Sequence, residues 1–155
     1  MIEYKLFLDQ KSGKTILKEK DFFKEDGNYN NPEKIVHMMN TIYHMNELAT
    51  EHLYMLVFNP AMRGIGVFEV SSGSSDNTMV DPRSIFTSAL LLGGNGIILV
   101  HNHPGGSLSP SQMDVASTKQ VVEAGKILNL PLHDHIIVAG ESYTSMKEVC
   151  GTNLF

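Results

Sequence analysis

Val100-His101-Asn102-His103-Pro104-Gly105-Gly106-Ser107-Leu108-Ser109-Pro110-Ser111-Gln112-Met113-Asp114 is the stretch that decides the reading of this chain. It continues a short apolar run, Ile97 to Val100, of the kind that forms a strand buried on both faces. His101 and His103 are two apart at the end of that strand. Strand side chains alternate faces, so both imidazoles point the same way. Pro104 cannot extend a ladder, and Gly105-Gly106 lets the chain turn back closely. Ser109 then reads as a helix N-cap, with Pro110 at the first helical position and Gln112 completing a capping box. Ser111 and Asp114, three apart, share a face of that helix. The loop therefore swings Ser111 and Asp114 toward the two histidines.

Two neutral imidazoles and a carboxylate make a three-ligand zinc set, here His101, His103 and Asp114, one ion per chain. Its fourth position stays open, as in catalytic rather than structural zinc sites. Zinc in such a site acidifies water and polarises a carbonyl. Hydrolysis also needs a base to move the water's proton to the leaving amine. It gains from a donor facing the developing oxyanion, and the Ser111 hydroxyl is placed for that. His-x-His alone on a strand is most often a pair of ordinary polar residues. The proline, the paired glycines and the capped helix with Ser and Asp on one face favour the metal reading.

Outward from this stretch, Leu53 to Phe58 is apolar on both alternating faces, and Asn59-Pro60 ends it. Gly66 to Val70 suggests the next strand. Asp81-Pro82 starts a helix that stops at Gly93-Gly94, with Ile85, Ala89 and Leu92 on one face. A helix from Pro110 to about Leu128, a strand from Leu132 to Val138 and a short C-terminal helix complete an α/β layered domain. At the other end, Ile2 to Leu8 reads as a strand, Lys11 to Lys14 as a turn and Thr15 to Leu17 as a returning strand. Glu25 to Asn30 is a polar loop or linker. Asn31 caps a helix with Pro32 at its first position, Glu33 at its positive end, and Ile35, Met38, Met39 and Ile42 at helical spacing. Residues 1–48 are read as an extension packed on a core domain of residues 49–155.

The bulk properties narrow the function. A chain of 155 residues fits one domain. The formal charge of −5 gives no electrostatic footprint for a phosphate backbone. Cys150 stands alone, so no intramolecular disulfide forms, which fits a reducing cytoplasm. The N-terminus carries no apolar core before a cleavage site, so no signal peptide is expected. The longest apolar stretch, Ser88 to Val100, is broken by Gly93, Gly94, Asn95 and Gly96 and cannot span a membrane. His133 and His135 form a second His-x-His, with Asp134 facing the other way; no further ligand follows at suitable spacing, and His135 reads as structural or as support to a ligand. His37 and His44 fit a surface helix face. The nine methionines suit core filling. Ser72-Gly73-Ser74-Ser75 lacks a phosphate-loop lysine and is not read as a nucleotide site.

His101-x-His103-Pro104 followed by Ser111-x-x-Asp114 resembles the JAMM signature of JAB/MPN metalloproteases. Asp81-Pro82-Arg83, the apolar strand into His101-Asn102-His103-Pro104, Pro110-Ser111-x-x-Asp114 and Asp134-His135-Ile136-Ile137-Val138 resemble the bacterial RadC-like branch. The likeness covers roughly residues 50–150. It implies a three-layer α/β/α domain with a mixed central sheet, zinc on the two histidines and the aspartate, and an upstream glutamate as general base. In the RadC-like pattern that glutamate opens the first core strand, at Glu51, with Glu47 and Glu69 as competitors. Full-length RadC proteins carry a helix-hairpin-helix segment, which residues 1–48 do not resemble.

The first expectation is a cytoplasmic zinc metallopeptidase or isopeptidase acting on a protein or peptide. The second is a DNA-repair factor of the RadC type, which the acidic balance opposes. The third is a JAB/MPN scaffold without catalysis; the intact ligand set places it last. No membrane partner is expected. The N-terminal strand leaves a sheet edge for another protein or for a homo-oligomer.

Overall fold

The computed structural model describes residues 1–22, 29, 31–73 and 80–155. The polar stretch read as a linker lies, Tyr29 apart, outside the described residues, as do Ser74 and Ser75. Among the described residues the elements run β1 (Ile2–Leu8), β2 (Thr15–Phe22), α1 (Pro32–Tyr43), β3 (Glu51–Phe58), β4 (Gly64–Gly73), α2 (Pro82–Leu91), β5 (Gly96–Asn102), α3 (Gln112–Leu128), β6 (Leu132–Ala139), β7 (Ser142–Ser145) and α4 (Met146–Cys150). The strands form one mixed sheet in the order β2-β1-β4-β3-β5-β6-β7. β1 pairs β4, and β5 pairs β6, in parallel; the other neighbours are antiparallel.

Alternation along the central strands sorts the core into two faces. Tyr54, Leu56 and Phe58 of β3, with Ile98 and Val100 of β5, pack with Ile35, Val36, Met38 and Met39 of α1. Leu53, Met55 and Val57, with Ile97 and Leu99, pack on the opposite face with Ile85, Phe86 and Ala89 of α2 and Val121 and Val122 of α3. The sheet is thus covered by helices on both sides, the expected α/β/α arrangement. α1 lies within one of those cores, and β1 joins the same sheet through Ile2 and Glu3 against Gly66 and Val67.

The helix starts follow the sequence closely at two of three points. Asn31 Oδ1 accepts the Glu33 N–H at 2.8 Å. The Asp81 carboxylate accepts the N–H groups of Arg83 and Ser84 at 3.1 and 3.3 Å. The third start differs. α3 is capped by Ser111, not Ser109, and Gln112 is its first residue. Both Ser109-x-x-Gln112 and Ser111-x-x-Asp114 have capping-box spacing. The second wins because the Asp114 carboxylate accepts the Ser111 N–H, at 2.6 Å, while Ser111 Oγ accepts the Asp114 N–H, at 3.1 Å. A carboxylate also complements the positive end of the helix, which Gln112 does not. No helix among the described residues is long and apolar enough to cross a membrane.

Candidate metal centre

The site forms where β5 ends and α3 begins. Leu53 and His101 are partners across the β3–β5 ladder. Residues 51 and 53 share a face, so Glu51 projects from the side of the sheet that carries His101. His103 lies just beyond β5, yet its N–H donates to the Val138 carbonyl at 2.8 Å, which prolongs the strand by one step. The loop then closes tightly: the Gly106 N–H reaches the His103 carbonyl at 3.0 Å. Gly106 has φ of 80°, a left-handed geometry that favours glycine. His103 Nδ1 faces the Ser107 carbonyl at 2.8 Å. That carbonyl only accepts, so Nδ1 carries the proton and Nε2 points inward.

Three donor atoms meet there. His101 Nε2 and His103 Nε2 are 2.9 Å apart. Asp114 Oδ1 lies 3.3 Å from His101 Nε2, and Oδ2 lies 3.5 Å from His103 Nε2. One ligand atom from each residue falls within 4.8 Å of the others, so the three together can hold a metal ion. The capping box is part of this geometry, because the oxygen that accepts the Ser111 N–H is the one facing His103. Burial alone pushes the Asp114 carboxyl up; hydrogen bonds from His101 and His103 outweigh it and hold the group well below the usual carboxylate range. The hydrogen bond with Asp114 raises His103 against the opposing effect of burial, aided by the Ser107 carbonyl and the charges of Asp114 and Glu51.

Glu51, His101, His103, Ser111 and Asp114 line a single cleft of about 450 Å³, with Leu53, Val80 and Met113 among its apolar walls. Every residue that the sequence assigned to the chemistry therefore faces one space. Glu47 lies along a different groove, beneath His103 and Pro104, and Glu69 pairs with His52 at 3.1 Å. His37 and His44 are exposed on and beyond α1. Asp134 faces away from the centre and binds the Ser145 hydroxyl at 2.6 Å and the Lys147 N–H at 3.1 Å.

The sequence reading missed two supporting residues and left one undefined. Asn102, between the histidines, points to the α1 side of the sheet, where its side chain grips the backbone at Thr50 and His52. The alternation that aligns the histidines forces Asn102 to the other face, and that signal was available. Thr118, on the turn of α3 after Asp114, lies 2.6 Å from His135 Nδ1. Only the docking of α3 on β6 creates that contact. His135 Nε2 in turn lies 2.9 Å from His101 Nδ1, so His135 stands directly behind a histidine of the centre. Burial drives its pKa well below the usual histidine range.

A strand-end His-x-His thus faces an acid at the start of the next helix, on a sheet covered on both sides. The family model of the RadC-like JAB domain matches residues 29–152, and the chain belongs to this family. It is 36% identical over 124 residues to a UPF0758 protein of Caldanaerobacter subterraneus subsp. tengcongensis, covering 80% of this chain and 52% of that protein. A UPF0758 protein of Methanococcoides burtonii is 37% identical over 122 residues, covering 76% of this chain and 53% of the relative. One of Salinibacter ruber is 38% identical over 104 residues, covering 67% and 45%. The chain spans about half the length of the curated relatives it matches.

Proposed function

We propose that this protein is a zinc-dependent hydrolase of amide bonds, a peptidase or isopeptidase, working in the cytoplasm on a protein or peptide. The observation that carries the reading is the convergence of His101, His103 and Asp114 in a cleft that Glu51 also lines. The donor set fits the ion. Two donors on a tetrahedral zinc with bonds of about 2.0–2.1 Å stand about 3.3 Å apart; here the two Nε2 atoms are 2.9 Å apart, Asp114 Oδ1 lies 3.3 Å from that of His101 and Asp114 Oδ2 lies 3.5 Å from that of His103, with one ligand atom of each residue within 4.8 Å of the others. Zinc held there supplies Lewis acidity toward a carbonyl and lowers the pKa of water.

The chain's own residues do the rest. Glu51 takes a proton from the attacking water and delivers it to the leaving nitrogen. Ser111 Oγ accepts the Asp114 N–H, which leaves its own hydrogen to donate to the developing oxyanion. Among the described lining residues none is lysine or arginine, which favours a neutral amide over a phosphodiester backbone. The lone Cys150, with no disulfide, fits the cytoplasmic placement.

The test is a quenched-fluorescence peptide library and an isopeptide-linked substrate, offered to the zinc-loaded protein and to Glu51→Gln. The parent is expected to cleave at least one substrate and to lose activity with a chelator. Glu51→Gln is expected to keep its zinc and to lose at least about 100-fold in kcat. Cleavage by Glu51→Gln at the parental rate would overturn the assignment of the base.

A further inference from the structure

We propose that Leu53, Val80 and Met113 form a subsite beside the metal position that takes an uncharged apolar side chain of the substrate residue adjoining the scissile bond. Met113 sets how much of that side chain is covered. The inference rests on the hydrolase reading and names the class of residue that the site accepts.

The three side chains reach one cleft from three elements. Leu53 is the ladder partner of His101 and is 2% exposed, so it walls the cleft beside a proposed ligand. Val80 directly precedes Asp81, the cap of α2. Met113 lies in the first turn of α3, directly before Asp114, and is 56% exposed. A thioether on an unbranched stem adapts to apolar surfaces of varied shape. An apolar side chain laid against this wall releases the water that covers Met113.

The charges and polar groups of the cleft exclude the other occupants. Among the described lining residues none is lysine or arginine, so an acidic side chain finds no partner. A basic side chain would need Glu51 or Asp114, which the proposed reaction assigns to proton transfer and to the metal. A charge placed there without a partner is costly. Two further polar side chains of the wall are engaged within the protein. Ser117 Oγ donates to the Asp114 carbonyl at 3.2 Å. The His52 ring meets Glu69 through Nδ1 and Thr50 Oγ1 through Nε2, both at 3.1 Å. What the wall offers a substrate side chain is therefore mainly the apolar surface of Leu53, Val80 and Met113.

The test uses the zinc-loaded parent, Met113→Ala, Met113→Glu and, as a control, Val115→Ser, which alters an exposed apolar residue of α3 that does not line the cleft. Quenched-fluorescence peptide pools place leucine, alanine, aspartate or lysine on either side of each bond, and mass spectrometry reads the bonds cut. The parent is expected to cut beside leucine with kcat/KM about 10-fold or more above alanine, and further above aspartate and lysine. Met113→Ala is expected to lose about 10-fold on leucine and little on alanine. Met113→Glu should turn the preference toward lysine, and Val115→Ser should behave as the parent. Parental zinc content in every variant separates a change of specificity from loss of the centre. Binding is read without turnover by methyl NMR of the metal-free protein. N-acetyl-leucinamide is expected to shift the Leu53, Val80 and Met113 signals saturably, and the corresponding aspartate and lysine amides to bind about 10-fold more weakly or not at all. Cleavage with no preference for leucine, or a lysine or aspartate amide binding as well as leucine at these methyls, would overturn the subsite and leave the hydrolase reading standing. Selective leucine binding by a parent that cuts no peptide would support the subsite and sink the hydrolase reading.

Discussion

Asn102 Oδ1 accepts the backbone N–H of His52 at 2.8 Å, so the residue between the two histidines holds the strand that begins with Glu51. Its amide nitrogen donates to the Thr50 carbonyl at 3.0 Å. Glu51 is gripped on both sides by a side chain that is 2% exposed. Asn102→Ala strands a backbone donor and a backbone acceptor in a half-buried place. Chemical denaturation should show a loss of about 1–3 kcal/mol. Zinc stoichiometry should be unchanged, because the three proposed ligands, His101, His103 and Asp114, gather on the other face. Parental stability in Asn102→Ala would mean that the clamp does not form in solution.

Gly125 lies in α3 against the turn that leads to β6. An added Cβ would stand 2.7 Å from the Leu130 carbonyl oxygen and 3.3 Å from the Phe86 ring. Replacing a helical glycine with alanine ordinarily stabilises by up to about 1 kcal/mol. Here the obstacle is backbone, which cannot rotate away. Gly125→Ala should therefore destabilise, by about 1–3 kcal/mol as for an overpacked core. A thermal midpoint above that of the parent would contradict the close approach of α3 and Leu130.

Asp134 gives a pH signature outside the metal centre. Burial is the largest influence on its carboxyl and lifts it above its ordinary value of 3.8, against hydrogen bonds from Ser145, Lys147 and His135. The folded state therefore holds this proton more tightly than the unfolded chain. Its contribution is fully present below the unfolded pKa and is lost as pH rises through the raised folded value. Asn at this position keeps an oxygen for the His135 and Lys147 N–H groups and turns its nitrogen toward Ser145 Oγ. Urea unfolding of Asp134→Asn should match or exceed the parent at pH 7, and the gap should close below about pH 4. A variant clearly weaker at pH 7 would show that the ionised carboxylate is favoured in place.

Met39 tests how far the N-terminal residues belong to the main core. It is 0% exposed and packs from α1 on the face formed by Leu56, Phe58 and Val100. Met39→Ala should cost about 2–5 kcal/mol in a single cooperative transition. A two-step unfolding curve, with the loss confined to the first step, would mark residues 1–48 as a separate layer.

The central strands were legible because β3 and β5 are apolar at every position from Leu53 to Phe58 and from Ile97 to Val100. The same alternation put His101 and His103 on one side without any tertiary knowledge. The start of α3 was misread because two overlapping boxes, from Ser109 and from Ser111, have the same local spacing. The carboxylate of Asp114, absent from Gln112, decides between them, and that signal was present in the sequence. Thr118 was invisible for a different reason: it meets His135, 17 residues away, only after α3 has docked. Glu51 was reached through the family pattern rather than through physics. The pairing of Leu53 with His101 puts Glu51 on the face of His101, and Glu51 lines the same cleft.

The central claim is that His101, His103 and Asp114 hold one zinc ion. The most direct measurement is zinc per chain, by elemental analysis, on the parent and on His103→Ala, both purified without a metal-chelating resin and then exposed to zinc and dialysed. The account predicts about one zinc in the parent and a near-complete loss in the variant. A parent that retains no zinc, or a variant that retains as much as the parent, would contradict it.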